Sequence, residues 1–491
     1  MPKPKRPTIN KLWLYRYRFY ILQIILAISF ISLLAFALFS SLSSITDAEM
    51  LSAVDSSRLS WGSIANGDII NAPFRALQNL SIRILGLTPL AIKLPSILLA
   101  AITGFFLILL INRWHKTNVA VITSLLVIPS VIFLATATSG TPAIMTILFP
   151  VLIFWLGSKL AGTKNPSPIL SFLFVTVFAI SCYTPYFTYI IPILPLLCIT
   201  HPHLRLFIKR LGAIKLSVLI GTFTILVAPI IIAFIINFSG ARYLLLPEIS
   251  DIQYLIDNLL AVVHSLSRFT STDSSPILQP LFGISLTLIA IIGVIATRPA
   301  RHASRYRVLT AFFMFAIITS ILDPTYVVTF FLPIALLIAA GINFILSEWY
   351  SLFPLNPYPR VIGGILILIS AYAIVTSNVQ FFFHAPHHIQ TINAQLNFQL
   401  AALNGQDLYD EVDLIVDESQ TEFYRLLGDN IRVLTNPEHA ESDKLIFLTR
   451  PEILPEGYTL HQIITGSTHQ NADLLYIFTL TPVEDEEIVI E

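Results

Sequence analysis

Up to about residue 380 the chain is a succession of apolar runs, most of them about twenty residues long, separated by short polar stretches. About twenty apolar residues wound as a helix cross the hydrocarbon core of a bilayer. Lipid offers no hydrogen-bond partners, so a backbone crossing it must satisfy its own N–H and C=O groups, and such runs fold as helices. They fall at 19–39, 90–111, 119–138, 141–158, 168–184, 186–200, 212–238, 279–297, 308–322, 326–346 and 361–381, about eleven expected spans. Pairs joined by very short turns, such as 119–138 with 141–158, are open to a second reading as single kinked or re-entrant units.

Only 12% of the 491 residues are charged, against about 25% in a typical soluble domain. The charges are segregated. The runs are almost free of them, and the last hundred residues hold most of the acids. The fold class is therefore an all-α polytopic membrane domain followed by a small α/β extracytoplasmic domain. The expected division is 1–18 as a basic N-terminus, 19–383 as the membrane domain, and 384–491 as the soluble tail. The zero net charge averages two unlike halves. Cys182 and Cys198 both lie in apolar runs, and the paired Cys or Cys/His spacing of a zinc site is absent.

The signs of the charges orient the chain. Residues 1–18 carry Lys3, Lys5, Arg6, Lys11, Arg16 and Arg18 and no acid. The first run is too long for a typical signal-peptide core and reads as a signal anchor whose basic flank stays in the cytoplasm. Alternate loops then carry Arg113 and Lys116; Lys159 and Lys164; Arg205, Lys209, Arg210 and Lys215; Arg298, Arg301, Arg305 and Arg307; and Arg360, with Glu348 as their one acid. The remaining loops carry Asp47, Glu49, Asp55, Asp68, Glu248, Asp251, Asp257, Asp273 and Asp323. Excess Lys and Arg marks the cytoplasmic side. The expectation is a plasma-membrane protein with its N-terminus inside and the first loop (42–89), the 239–278 loop and the tail outside.

Two loop segments have helical apolar spacing and are expected to lie along the membrane surface. One, over 74–85, has Leu77, Leu80 and Ile84 on its apolar side. The other has Leu255, Leu259, Val262 and Leu266 on one face. In the tail a helix is expected over 388–404, and strands over 412–416, 431–434, 445–449, 460–464 and 474–480. A helix over 418–427 closes at Gly428, and the whole suggests a partly parallel sheet. The final VEDEEIVIE reads as a solvated end, and the acidic tail argues against nucleic acid as a partner.

The chemistry-bearing residues concentrate in the first loop. Acids beside a bilayer face, in a chain that otherwise avoids charge, are a functional-site hypothesis. Asp47 and Glu49 lie just past the first span, and either could act as a general base toward a hydroxyl; Thr46 and Asp47 also suit a helix N-cap. Arg58, Arg75, Arg83 and Lys93 run against the positive-inside trend. An anionic lipid phosphate would account for them, as would snorkelling to headgroups. Tyr183-Thr184-Pro185-Tyr186 and Asp323-Pro324-Thr325-Tyr326 interrupt apolar stretches near the outer face, where aromatic residues commonly form interfacial belts. His384, His387 and His388 at the membrane exit read the same way, and no metal site is assigned. No P-loop, nucleophile elbow or dinucleotide fingerprint is present.

Three phrases resemble the protein O-mannosyltransferase and aminoarabinose-transferase superfamily, integral-membrane glycosyltransferases of GT-C type that use dolichyl- or undecaprenyl-phosphate sugars. They are Thr46-Asp47-Ala48-Glu49 after the first span, Asn71-Ala72-Pro73-Phe74 at a surface helix, and Leu85-Gly86-Leu87-Thr88-Pro89-Leu90-Ala91-Ile92-Lys93-Leu94-Pro95-Ser96 leading into the second span. The last is the most specific, with Lys93 where Arg is usual. Thr325-Tyr326 followed by Phe331-Leu332-Pro333-Ile334-Ala335 is similar to the family's entry to a late span. The chain departs from the pattern in three places. Ala48 splits the usual Asp-Glu pair, Ala135–Pro142 (135–142) lacks the Arg and Asp usual after the third span, and Thr325 stands where Arg is usual.

The resemblance implies transfer of a sugar from a polyprenyl-phosphate donor to a glycan, lipid or protein acceptor at the outer face, with inversion. Asp47 or Glu49 would be the base. Arg58, Arg75 or Lys93 would meet the departing phosphate, and Asp68, Asn71, Tyr183 and Tyr326 would contact substrate. No cofactor is required beyond the donor itself, with a divalent cation left open. Rival readings are a non-catalytic scaffold built on this fold, a lipid-linked glycan transporter, and an oligosaccharyltransferase or glycan ligase.

Overall fold

The computed structural model describes residues 13–163, 167–247, 251–267, 282–353, 357–388, 396–406, 412–428, 430–451, 457–465 and 473–480. Lys3, Lys5, Arg6, Lys11, Lys164, Glu248, Asp273 and the acidic C-terminal end lie outside the described residues, as do the side chains of His387 and His388. The chain forms two compact units. One comprises Met1–Phe39, Ser60–Phe74 and Ser96–His384; the other comprises Ser40–Leu59, Arg75–Pro95 and Ala385–Glu491.

The first unit is helical and apolar. Among the described residues eight helices are long and apolar enough to cross a membrane: Gln23–Ser41, Pro89–Trp114, Pro142–Ala161, Ala213–Ile236, Gly283–Ala300, Ser304–Leu322, Pro324–Leu352 and Val361–His384. The expected 119–138 run is instead two helices, Thr117–Val127 and Val131–Thr138, bent by 65° and countable as a ninth span. Pro129 sits in the break, where its ring removes an N–H from the helical ladder. The expected 168–184 and 186–200 runs become the shorter helices Pro168–Ser181 and Ile190–Thr200. Between them Tyr186 takes φ 66°, a left-handed conformation that no continuous helix can contain. Among the described residues the expected runs are thus helical, with eight or nine helices long enough to span against about eleven expected.

Packing in this unit is aromatic and close. Phe133 lies between Phe30 and Phe331, and Phe315 between Phe187 and Phe312. Helices Gly283–Thr297 and Phe331–Leu352 approach closely enough for their backbones to meet. A Cβ added to Gly293 would fall on the Leu337 carbonyl, and one added to Gly341 on the Ile289 carbonyl. With lipid on the outside no hydrophobic force pushes helices together, so small residues that let backbones meet carry the contact. Gly341→Leu must separate the two helices. It is expected to cost at least about 1–3 kcal/mol from overpacking, read as a lower thermal denaturation midpoint and a loss of monodisperse protein in detergent.

The second unit holds a five-stranded sheet in the order Ile431–Leu434, Val412–Ile415, Lys444–Phe447, Asp473–Leu480, Tyr458–Thr465. The first three strands are parallel, and the last two pair antiparallel. The strand Val412–Ile415, flanked by parallel strands on both sides, is buried throughout, as a parallel strand covered on both faces must be. Its one charge, Asp413, accepts the backbone N–H groups of Glu441 at 2.7 Å and Ser442 at 2.9 Å. Residues 418–427 form three consecutive helical turns that stop at Gly428, φ 128°. All five expected strands are present within a residue or two of their expected ends.

The expected 388–404 helix is not formed as such. The last span runs on to His388 and Gln399–Leu403 is a five-residue helix, but Leu396–Asn397 is a short strand. It is extended because it pairs antiparallel with Ile45–Thr46 of the first loop. First-loop side chains also complete the tail's core: Ile45, Met50, Ala53, Val54, Leu87 and Ile92 pack with Leu400, Leu403, Leu414 and Tyr424. A division by chain order alone does not anticipate a unit assembled from three separate segments.

Candidate active site

The helix Asp47–Ser57 starts where its sequence says it should. Thr46 is extended (φ −103°, ψ 161°) and forms a reciprocal capping box. Its hydroxyl accepts the Glu49 N–H at 3.3 Å, and the Glu49 carboxylate accepts the Thr46 N–H at 2.8 Å. Two of the N–H groups that a helix start leaves unpartnered are thereby satisfied. Acids in the first turn also face the positive end of the helix dipole.

Two positions along a helix is about 200° of rotation, so Asp47 and Glu49 face opposite ways. Glu49 is buried, 3% exposed, and its Oε2 lies 3.7 Å from the ammonium of Lys93, itself 4% exposed. Lys93 Nζ also donates to the carbonyls of Ser41 and Ser44, each at 2.7 Å. The two carbonyls take two of the three N–H donors of the ammonium, and the carboxylate faces it as a counter-charge beyond hydrogen-bond length. A buried charge pair is tolerable only when satisfied in this way. Asp47, the first residue of the helix, is exposed.

The helix Ala72–Leu85 presents its polar face inward. Arg75 donates twice to the Asp55 carbonyl, from Nε at 3.1 Å and Nη2 at 2.5 Å. Gln78 accepts from Ser52 at 2.9 Å and Ser56 at 2.6 Å and donates to the Ile92 carbonyl at 3.0 Å. Asn79 reaches the Leu59 carbonyl at 3.1 Å, and Ser81 that of Ala91 at 2.7 Å. Leu77, Leu80 and Ile84 are exposed, in keeping with an apolar face expected at a lipid surface. Arg83 is exposed as well. Arg58, near the end of its helix, pairs with Glu422 of the tail at 2.5 Å, both side chains more than half exposed.

The remaining expected residues belong to the helical unit. Asn71 is held at φ 52°, and its N–H donates to the Tyr183 carbonyl at 2.9 Å. The Tyr183 hydroxyl donates to the Leu226 carbonyl at 2.8 Å. The Tyr186 N–H donates to the Leu244 carbonyl at 2.8 Å, and its ring meets that of Tyr326 edge-on at 4.9 Å between centroids. Asp323 and Tyr254 lie within electrostatic reach of Tyr186. Asp68 is half-buried, with its backbone N–H on the Ser63 carbonyl at 3.0 Å. The two aromatic breaks that the sequence marked separately are therefore one cluster.

Asp47, Glu49 and Asp55 thus share one unit with Arg58, Arg75, Arg83 and Lys93, and the first-loop acid Asp68 shares the other with Asn71, Tyr183 and Tyr326. Sequence reasoning missed the Ser52–Ser56–Gln78 network and the role of Tyr186. The network's signal is present in the chain as polar side chains at helical spacing on an otherwise apolar segment. The strain at Tyr186 has none. Lys93 and Arg75 are engaged by carbonyls rather than standing open to an incoming phosphate. Among the described residues no three His, Cys, Asp or Glu side chains are grouped to hold a metal ion.

Residues 73–238 match the family described as dolichyl-phosphate-mannose-protein mannosyltransferase. No curated protein matches the chain by sequence. Among solved structures, the archaeal oligosaccharyltransferase AglB from Archaeoglobus fulgidus, in complex with an inhibitory peptide and a dolichol-phosphate, is similar at a TM-score of 0.53 and 10% identity; the match covers 89% of this chain and 70% of that one. The same organism's oligosaccharyltransferase tethered to an acceptor peptide gives 0.51 and 11%, with 87% and 64% covered. The chain therefore spans about two thirds of the length of these relatives. ArnT from Cupriavidus metallidurans in the apo state is similar at 0.47 and 11%, with 94% and 97% covered. Sequence match and fold agree with the resemblance drawn from the first-loop phrases: residues 73–238 are similar to the mannosyltransferase family, and the chain has the fold of the archaeal oligosaccharyltransferase and the helices of a multi-pass membrane protein.

Proposed function

We propose that the protein transfers a sugar from a polyprenyl-phosphate donor to a hydroxyl acceptor at the outer membrane face, with Asp47 as the general base. The observation that carries this reading is the division of labour between the two first-loop acids. Glu49 is consumed by the capping box and by Lys93, whereas Asp47 is exposed at the start of the same rigid helix. The match to a dolichyl-phosphate-mannose-dependent family and the dolichol-phosphate bound by the archaeal relative support the donor class. The orientation rests on the charge asymmetry of the loops.

In the proposed reaction Asp47 takes the proton of the acceptor hydroxyl as its oxygen attacks the anomeric carbon. The bond from that carbon to the phosphate oxygen breaks with its electron pair going to the phosphate, and the anomeric centre inverts. Charge grows on the leaving phosphate, so a nearby cation lowers the barrier. Of the first-loop cations Arg58 is the best suited. Its partner Glu422 is an exposed carboxylate, and exposed pairs of this kind are worth at most about 1 kcal/mol. Exchange of Glu422 for a phosphate is therefore cheap, whereas Arg75 and Lys93 would have to leave buried carbonyls.

The test is release of polyprenyl phosphate by the purified, reconstituted protein from a panel of polyprenyl-phosphate sugars. Turnover with any donor in the panel supports the proposal. Failure to bind or turn over any of them would overturn it in favour of a scaffold, and donor lipid crossing the bilayer without cleavage would favour a transporter. Cleavage confined to a lipid-linked oligosaccharide would place the chain with the oligosaccharyltransferases.

A further inference from the structure

From Asp68 to Glu248 the chain contains no Asp or Glu, while Arg113, Lys116 and Lys159 stand at helix ends within that stretch. The end of helix Pro89–Trp114 and the end of helix Met145–Ala161 come together in the helical unit and enclose an open cleft of about 400 Å³, lined by Leu109, Asn112, Arg113, Trp155 and Lys159. The Lys159 ammonium lies 4.4 Å from the centroid of the Trp155 ring. Arg113 and Lys159 are exposed, and neither has a carboxylate partner among the described residues. On the neighbouring face of the same helix end, Arg305 donates to the Trp114 carbonyl at 2.9 Å. His115 beside it is pushed down to about 4, by burial first and by Arg305 second. This end of the unit is a zone of uncompensated positive charge.

We propose that the cleft binds the phosphate headgroup of an anionic phospholipid of the inner leaflet. Two cations, an amide and an indole converge on one volume. A Lys held over an indole face is directed by the ring's quadrupole and keeps donors for an anion, and the planar Arg113 fork fits two phosphate oxygens. Leu109 and Trp155 supply an apolar wall for the first acyl carbons, and the wall separates a lipid from a free phosphate as the occupant. Basic pockets between spans on the cytoplasmic side are where anionic headgroups dock. The cleft belongs to the helical unit, whereas Asp47, Arg58 and Lys93 belong to the other unit. It shares with the proposed chemistry only the orientation of the chain.

The experiment is native mass spectrometry of the full chain released from nanodiscs containing equal phosphatidylglycerol and phosphatidylcholine. The wild type is expected to retain phosphatidylglycerol preferentially. Arg113→Gln with Lys159→Gln is expected to weaken that retention about 30-fold, from two surface cations at the usual worth of each. Lys209→Gln with Arg210→Gln, which removes two cations of the helix Pro202–Leu211 elsewhere on the unit, is expected to leave it unchanged. Equal loss in both double variants would reduce the effect to general surface charge and overturn the site. Retention unaffected in the first variant would overturn it as well. Displacement of the lipid by millimolar inorganic phosphate would overturn the lipid assignment in favour of a soluble phosphate ligand. All four substituted side chains are on helix ends and exposed, so the variants are expected to fold, checked by an unchanged thermal denaturation midpoint.

Discussion

Asp47→Asn is expected to lower the rate of sugar transfer by about 10²–10⁴-fold, the usual contribution of a positioned general base, while donor binding persists. The substitution is nearly isosteric and sits at the exposed first position of its helix, so the capping box of Thr46 and Glu49 does not depend on it. The loss should therefore fall on kcat with KM little changed, because the interaction removed belongs to the transition state. Glu49→Gln is the informative contrast. Gln can still accept the Thr46 N–H, as in any capping box, but it leaves the buried Lys93 ammonium without a counter-charge. Its expected signature is reduced stability of the unit, with a smaller, indirect loss of rate. If Glu49→Gln abolished turnover in a protein of unchanged stability while Asp47→Asn remained active, the assignment of the base would be reversed.

Why the two acids could not be told apart beforehand is instructive. Their spacing already places them on opposite faces of a helix, and Thr46 already marks its start. What the chain does not disclose is which face is covered. That depends on residues more than three hundred positions away: Leu396–Asn397 pairing with Ile45–Thr46, and Leu400, Leu403 and Tyr424 packing on Met50, Ala53 and Val54. Short strands of two residues carry no periodicity of their own. The 74–85 segment has the same character. Its two faces are legible from their 3.6-residue spacing, but only the fold reveals that Arg75, Gln78, Asn79 and Ser81 are the packed side. In contrast, the membrane spans and the tail strands were legible because each is decided locally. Lipid enforces about twenty apolar residues per helix, and a buried parallel strand enforces an unbroken apolar run.

Lys93→Met is expected to release the start of the Asp47–Ser57 helix. Lys93 satisfies Glu49 and the carbonyls of Ser41 and Ser44 at once, and all of these belong to one unit. Removing one partner of a buried pair strands the other, at a typical cost of about 3–5 kcal/mol. Met fills much of the volume and supplies no donor, so the cost is chiefly electrostatic. Hydrogen exchange of the amides of residues 45–57 reads it directly, because opening of that segment should become about 10²–10⁴-fold more frequent. Lys93→Met combined with Glu49→Gln removes both charges and should recover a large part of the protection, since a buried pair replaced together costs far less than one broken. The same measurement separates two roles for this lysine. If Lys93→Met left exchange unchanged and instead weakened donor binding, Lys93 would be a phosphate ligand, as the likeness of Leu94-Pro95-Ser96 and its surroundings to the transferase phrase implies. Loss of protection that the double variant restores makes it the pin that holds the Asp47 helix in place.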